Sequence, residues 1–221
     1  MAEAGFFTLS INLSMNGTTP EQPGDFADLE AFGRQTYAQD IADIRTLLNS
    51  LSPWEAEADL QKIYLMGHSR GGAVALLAAA QEAGIKKVIT LASVAESDFV
   101  WTASRVAELL AEGKSSVPNA RTGQLMPLYE AGYREAQSGE YHLESAVKSL
   151  KIPILLLHGT ADSSVLPEKA ALLKQWATQA KLHYIEEANH TFGGTHPYTE
   201  AHLPPHTAAA LALCLDFLRE A

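Results

Sequence analysis

Ser69, Asp162 and His190 are residue types that together can carry nucleophilic acyl chemistry, and each stands just after an apolar run. A serine hydroxyl attacks a carbonyl only when a base removes its proton, and an imidazole serves best as that base when an acid orients it. Ser69 lies in Gly67-His68-Ser69-Arg70-Gly71-Gly72, between the short apolar run Lys62–Met66 and the Ala/Leu-rich run Ala73–Ala80. Glycines two residues to either side of a serine, on a sharp strand-to-helix turn, make the nucleophile elbow of serine hydrolases. We expect the glycines there because strand and helix approach too closely for side chains. The helix that follows points the positive end of its dipole at the turn, so the backbone N–H of Arg70 is the expected donor to an oxyanion formed at Ser69. The competing reading is a glycine-rich turn that merely packs well, or a related fold that has lost its chemistry.

The acid and base come later in the chain. His158-Gly159-Thr160-Ala161-Asp162 follows the run Ile152–Leu157, and Asn189-His190-Thr191-Phe192-Gly193 follows Leu182–Ile185. Residues just beyond the C-terminal ends of parallel strands sit on the face where open α/β sheets carry their sites. The order serine, acid, histidine is the one that accompanies this elbow. Ser69 is therefore the candidate nucleophile, His190 the base and Asp162 the acid. Asp98, which also follows a strand-like run, is a second candidate acid, and His196 a second candidate base. His190, His196, His202 and His206 cluster in sequence but match no metal-site spacing, so no metal and no cofactor is expected. His68 is tethered too close to Ser69 to act as its base and is expected to pack beside it.

These residues need a sheet to hold them. Apolar runs alternate with helical patterns, which predicts an α/β fold with a mostly parallel sheet covered by helices. Strands are expected over Phe6–Leu13, Lys62–Met66, Lys87–Leu91, Ile152–Leu157 and Leu182–Ile185. Helices are expected over Thr36–Leu51, after the elbow, over Pro167–Ala180 and over Pro204–Leu218. Between Ala95 and Leu150 no buried strand is expected. Helical patches and the aromatics Trp101, Tyr129, Tyr133 and Tyr141 suggest a helical cap there. Residues 1–221 then form one domain, with a core of 1–94 and 151–221 and a cap insertion of 95–150. Trp101, Tyr129 and Tyr133 are the candidate substrate contacts, or else they fasten the cap to the core.

Composition narrows the partners. The chain has 221 residues, is 47% hydrophobic and carries a formal charge of −10. That charge argues against nucleic acid and anionic membranes and leaves a small-molecule ester as the expected partner; a homodimer stays open. One cysteine, Cys214, permits no disulfide within one chain, and the opening residues do not read as a signal peptide, so a cytoplasmic location is expected.

At these motifs the chain resembles the α/β-hydrolases over nearly its whole length. It is most like a bacterial group of small serine hydrolases, loosely grouped with dienelactone-hydrolase-like and acyl-peptidase-like proteins. The residues carrying the likeness are Asn16-Gly17-Thr18-Thr19-Pro20, the elbow, His158–Asp162 and Asn189–Gly193. The resemblance implies the same triad, Ser69, Asp162 and His190. Dienelactone hydrolases proper use cysteine as nucleophile, so their substrate is not implied for a chain with serine.

The resemblance also implies a departure. Phe6–Asn12 looks like the family's fourth strand, so strands one to three are missing, together with the loop that supplies the second oxyanion-hole N–H. On that reading Met1 is an internal methionine and the chain a truncated or mis-started gene product. The alternatives are that Phe6–Asn12 pairs directly with the elbow strand, or that another chain fills the gap. Loss of one oxyanion donor costs roughly 2.7–4 kcal/mol. The expected function is therefore a serine esterase of small substrates acting through an acyl-enzyme. An inactive or truncated hydrolase-like domain, or a peptidase or acyltransferase on the same triad, are the alternatives.

Overall fold

Four strands line up in one parallel sheet, and the central β-strand run Ile154–Gly159 is buried throughout, as expected of a strand covered on both faces. The computed structural model describes residues 1–19, 21–22, 25–119, 123–195 and 197–220. Its elements run in chain order α1 (Leu29–Gly33), α2 (Tyr37–Asn49), β1 (Ile63–His68), α3 (Arg70–Gln81), β2 (Ile85–Leu91), α4 (Ala103–Glu112) and β3 (Ser115–Pro118). There follow β4 (Leu125–Leu128), α5 (Glu130–Ser138), α6 (Leu143–Ser149), β5 (Ile154–Gly159), α7 (Glu168–Trp176), β6 (Lys181–Ile185) and α8 (Pro205–Arg219). No helix among the described residues is long and apolar enough to cross a membrane. The chain divides into two compact units, one of Met1–Leu9, Leu48–Ala95 and Leu143–Ala221, the other of Ser10–Leu47 and Glu96–His142.

The first unit holds the sheet, in the order β1-β2-β5-β6 with every neighbouring pair parallel. The register sets His68 beside Leu91, Leu91 beside Leu157, and His158 beside Tyr184, so the C-terminal ends of the strands lie together. Every residue of β5 is buried, as its Ile-Leu-Leu-Leu run requires. Helix α3 packs on β1 and β2, and α8 packs on β5 and β6. Under α8 lies a cluster that includes Ile89, Leu155, Leu157, Ile185, Phe192 and Phe217. Lys87 looks out of place in that apolar environment. Its Nζ donates to the carbonyls of Phe217 at 3.0 Å and Glu220 at 2.6 Å, closing the negative end of α8.

Four strand predictions find their strands here, with ends shifted by a few residues. The fifth does not. Phe6–Leu13 is extended but unladdered, with Phe7, Leu9 and Ile11 each more than two-fifths exposed. Its alternation suits a strand, but a strand exists only where a partner accepts its hydrogen bonds. Among the described residues β1 pairs with β2 alone, so direct pairing with the elbow strand is ruled out as well. Phe6 rests against the apolar cluster under α8, and Phe7 lies against Trp54 with ring centroids 6.2 Å apart.

The second unit contains a feature the sequence reading left out. Between α4 and α5, β3 and β4 form an antiparallel hairpin, with Ser115 opposite Leu128 and Pro118 opposite Leu125. Four-residue strands that each contain a proline (Pro118 and Pro127) read as breaks rather than as strands. Helix α4 packs on β3, and α1 packs on β4. The carboxylate of Glu135 accepts from the N–H groups of Tyr37 and Ala38, both at 2.7 Å, and so satisfies the start of α2. Residues 143–150, by contrast, fall in the first unit, where α6 packs on α3 and α7.

Candidate active site

The turn after β1 is built by close backbone approach. A Cβ on Gly67 would lie 2.0 Å from the carbonyl oxygen of Gly71, and one on Gly72 would lie 2.6 Å from Cβ of Ser93. A Cβ on Gly71 would meet nothing within 4 Å. The expectation that Gly67 and Gly71 are both needed for want of space therefore holds at Gly67 only; Gly71 contributes the carbonyl that excludes a side chain there, and Gly72 is the second crowded position. Ser69 is held at φ 54 and ψ −124, a conformation that non-glycine residues rarely adopt and that costs on the order of 1–3 kcal/mol. Its N–H donates to the Leu91 carbonyl at 2.8 Å and its carbonyl accepts from Gly72 at 3.0 Å, which pins the serine at the end of the sheet. Arg70 opens α3, so the helix directs its positive end at the turn.

Two loops at the ends of β5 and β6 are stitched to each other. A Cβ on Gly159 would lie 2.1 Å from the Ala188 carbonyl oxygen, Ala161 N–H donates to that same oxygen at 3.0 Å, and Glu187 N–H donates to Thr160 Oγ1 at 2.8 Å. On this base Asp162 is buried, 3% exposed. Its Oδ1 accepts from the N–H groups of Ser164 and Val165, both at 2.9 Å, and its Oδ2 lies 2.8 Å from His190 Nδ1. A carboxylate only accepts, so Nδ1 carries the hydrogen and, in the neutral ring, Nε2 keeps the lone pair that a base needs. Burial alone would push the Asp162 pKa up. The hydrogen bonds from His190, Val165 and Ser164, with the positive charge His190 can carry, outweigh it and leave the carboxyl below its ordinary value.

The His190 loop is fixed from behind. Gly193 N–H donates to Asn189 Oδ1 at 2.9 Å, and Phe192, buried and at positive φ, gives its carbonyl to Thr207 Oγ1 at 2.8 Å. His68, the residue before Ser69, reaches across to this loop. Its Nε2 donates to the His190 carbonyl at 2.8 Å, and the two rings lie 4.7 Å apart. Loss of water around the imidazole lowers the His68 pKa, against the opposite pull of the His190 carbonyl and the Asp162 charge. The elbow and the base loop are therefore tied together by the residue expected to pack there.

Of the other candidates, Asp98 lies in the second unit, where its carbonyl accepts from Trp101 N–H. His196 lies outside the described residues. Trp101 and Tyr133 meet edge to face at 5.4 Å, and the Tyr129 hydroxyl donates to Glu30 at 2.7 Å, all within the second unit. One residue was named in sequence only as part of a motif. His158 is 1% exposed at the end of β5, with Nε2 2.8 Å from the Val165 carbonyl and 3.3 Å from Asp162 Oδ2. Its position four residues before the acid was the available signal.

A parallel sheet flanked by helices, with a strained serine on a strand-to-helix turn and an aspartate–histidine pair at neighbouring strand ends, defines the serine hydrolases of the α/β-hydrolase superfamily. The chain belongs to the prolyl oligopeptidase family, whose sequence pattern matches residues 20–206. Among solved structures it is similar to Est1E from Butyrivibrio proteoclasticus with ferulic acid bound, at 25% identity and a TM-score of 0.61, over 86% of this chain and 72% of that one. A monoacylglycerol lipase from Paleococcus ferrophilus shares the fold at 16% identity and a TM-score of 0.61, over 84% of this chain and 76% of that one. So does the acylaminoacyl peptidase of Pyrococcus horikoshii, at 14% identity and a TM-score of 0.60, over 85% of this chain and 28% of that one. No curated protein matches the chain at a significant level of sequence similarity.

Proposed function

We propose that this chain hydrolyses carboxylic esters of small molecules through an acyl-enzyme on Ser69. The observation that carries the reading is the 2.8 Å contact between His190 Nδ1 and the buried Asp162, on a loop tied to the elbow through His68. In the proposed reaction Ser69 Oγ bonds to the ester carbonyl carbon while His190 Nε2 takes the hydroxyl proton. The resulting oxyanion faces the N–H of Arg70 and the N-terminal end of α3. Collapse expels the alcohol, which leaves with the proton from His190. Water then attacks the acyl-enzyme by the same route, giving up a proton to His190 and releasing the acid and free Ser69. Asp162 keeps the imidazole in the productive tautomer and stabilises its positive form; it takes no proton. A cytoplasmic setting accords with the composition.

Membership of the prolyl oligopeptidase family favours a second reading, peptide or acyl-amino-acid cleavage on the same three residues. Hydrolysis of p-nitrophenyl esters and of aminoacyl p-nitroanilides by the parent and by Ser69→Ala separates the readings. The ester reading expects ester turnover lost in the variant and at most slow anilide cleavage. Faster anilide cleavage would favour the peptidase, and equal ester turnover in parent and variant would reject Ser69 as nucleophile.

A further inference from the structure

His158 is a buried polar side chain, in contact with the acid loop, to which the proposed mechanism gives no task. We infer that His158 is a positioning residue for Asp162, acting through the backbone of Val165; the inference rests on the proposed role of Asp162 as the acid. A carbonyl oxygen accepts only, so the 2.8 Å contact with Val165 places a hydrogen on His158 Nε2. The other ring nitrogen, Nδ1, meets no hydrogen-bond partner among the described residues. A hydrogen on Nδ1 would be an orphaned buried donor, so the ring carries its hydrogen on Nε2.

That tautomer braces the acid in two ways. Val165 is held on both sides of its Cα, its carbonyl by His158 and its N–H by Asp162 Oδ1. The ring therefore fixes, from the strand, the turn that aims the carboxylate. The same Nε2 edge lies 3.3 Å from Asp162 Oδ2, the oxygen that takes His190 Nδ1, so the positive end of the N–H dipole faces the charge. A leucine would fill this buried position without leaving a bare nitrogen, so packing alone does not explain an imidazole. The carboxylate beside it does.

The test is a double-mutant cycle on kcat/KM for p-nitrophenyl butyrate with the parent, His158→Leu, Asp162→Ala and the double variant. His158→Leu is expected to lose roughly tenfold to a hundredfold, nearly all of it in kcat, as misplacement of a reacting group does. In the Asp162→Ala background the same change is expected to cost less than about threefold, because the residue it positions is gone. Equal losses in the two backgrounds, or no loss in the single variant, would overturn the inference. His158→Gln, whose amide nitrogen reaches the Nε2 position, is expected to recover most of the activity, and His158→Asn, which stops at Nδ1, is not. If His158→Leu does not fold, this pair carries the test, and equal activity of Gln and Asn variants contradicts a positioning role. Full activity of Asp162→Ala would instead overturn the triad itself, a separate outcome.

Discussion

Strands β1 and β5 end at the same edge of one sheet, and each delivers a candidate catalytic residue, but they hold it by different means. β5 lies inside the sheet, pairs on both sides and buries all its residues. Among the described residues β1 lies at the edge, pairing with β2 alone, and leaves Met66 47% exposed. Asp162 is accordingly aimed by hydrogen bonds, from Ser164, Val165 and His190, on a base that is already rigid. Ser69 has no such base. It is fixed by backbone crowding between Gly67 and Gly71, by backbone hydrogen bonds with Leu91 and Gly72 and by a strained dihedral pair. Backbone crowding shapes both turns, at Gly67 and at Gly159, but the acid is aimed by hydrogen bonds to its side chain and the serine by its backbone conformation.

The largest effect separating the two strands is expected in their packing. Leu155→Ala on β5 removes a side chain that is 1% exposed and should cost about 2–5 kcal/mol. Met66→Ala on β1 should cost under about 1 kcal/mol. Urea denaturation of both variants checks this, and similar losses would erase the distinction.

Gly67→Ala comes next. Its Cβ has no room against the Gly71 carbonyl, so a loss of roughly 3 kcal/mol is expected, with Ser69 displaced. Gly71→Ala places its Cβ in open space within a helix and should leave stability unchanged or raised by up to about 1 kcal/mol. Thermal melting distinguishes the pair, and a tolerated Gly67→Ala would contradict the steric account of the elbow.

The smallest effect concerns the polar mode of holding. The pKa of Asp162 is lower in the folded than in the unfolded chain, so its contribution to stability is complete above the unfolded value and lost as pH falls through the folded one. The stability difference between the parent and Asp162→Asn should therefore shrink as urea melts are moved from pH 7 toward pH 3. A difference independent of pH would show that the carboxylate is not held by these donors.

Much of this arrangement is legible in the residues, for physical reasons that differ along the chain. Strand β5 announces itself because it is covered on both faces, which turns a strand into a continuous apolar run, and β1, β2 and β6 are legible from shorter apolar stretches beside it. Asp162 and His190 are legible because they stand just past such runs. Phe6–Leu13 misleads because alternation records a tendency to extend, while pairing depends on a partner that local sequence does not encode. The hairpin of β3 and β4 hides behind Pro118 and Pro127. Gly72 and His158 escape because their importance lies in what they touch across the fold, Ser93 in one case and the Val165 carbonyl in the other.

The central claim is that Ser69 is an activated nucleophile. Intact-mass measurement after treatment with a fluorophosphonate tests it most directly, with Ser69→Ala and His190→Ala as controls. The account predicts a single adduct on the parent, absent from Ser69→Ala and greatly slowed in His190→Ala. Folded parent protein that takes no adduct, or an adduct that persists in Ser69→Ala, would contradict it.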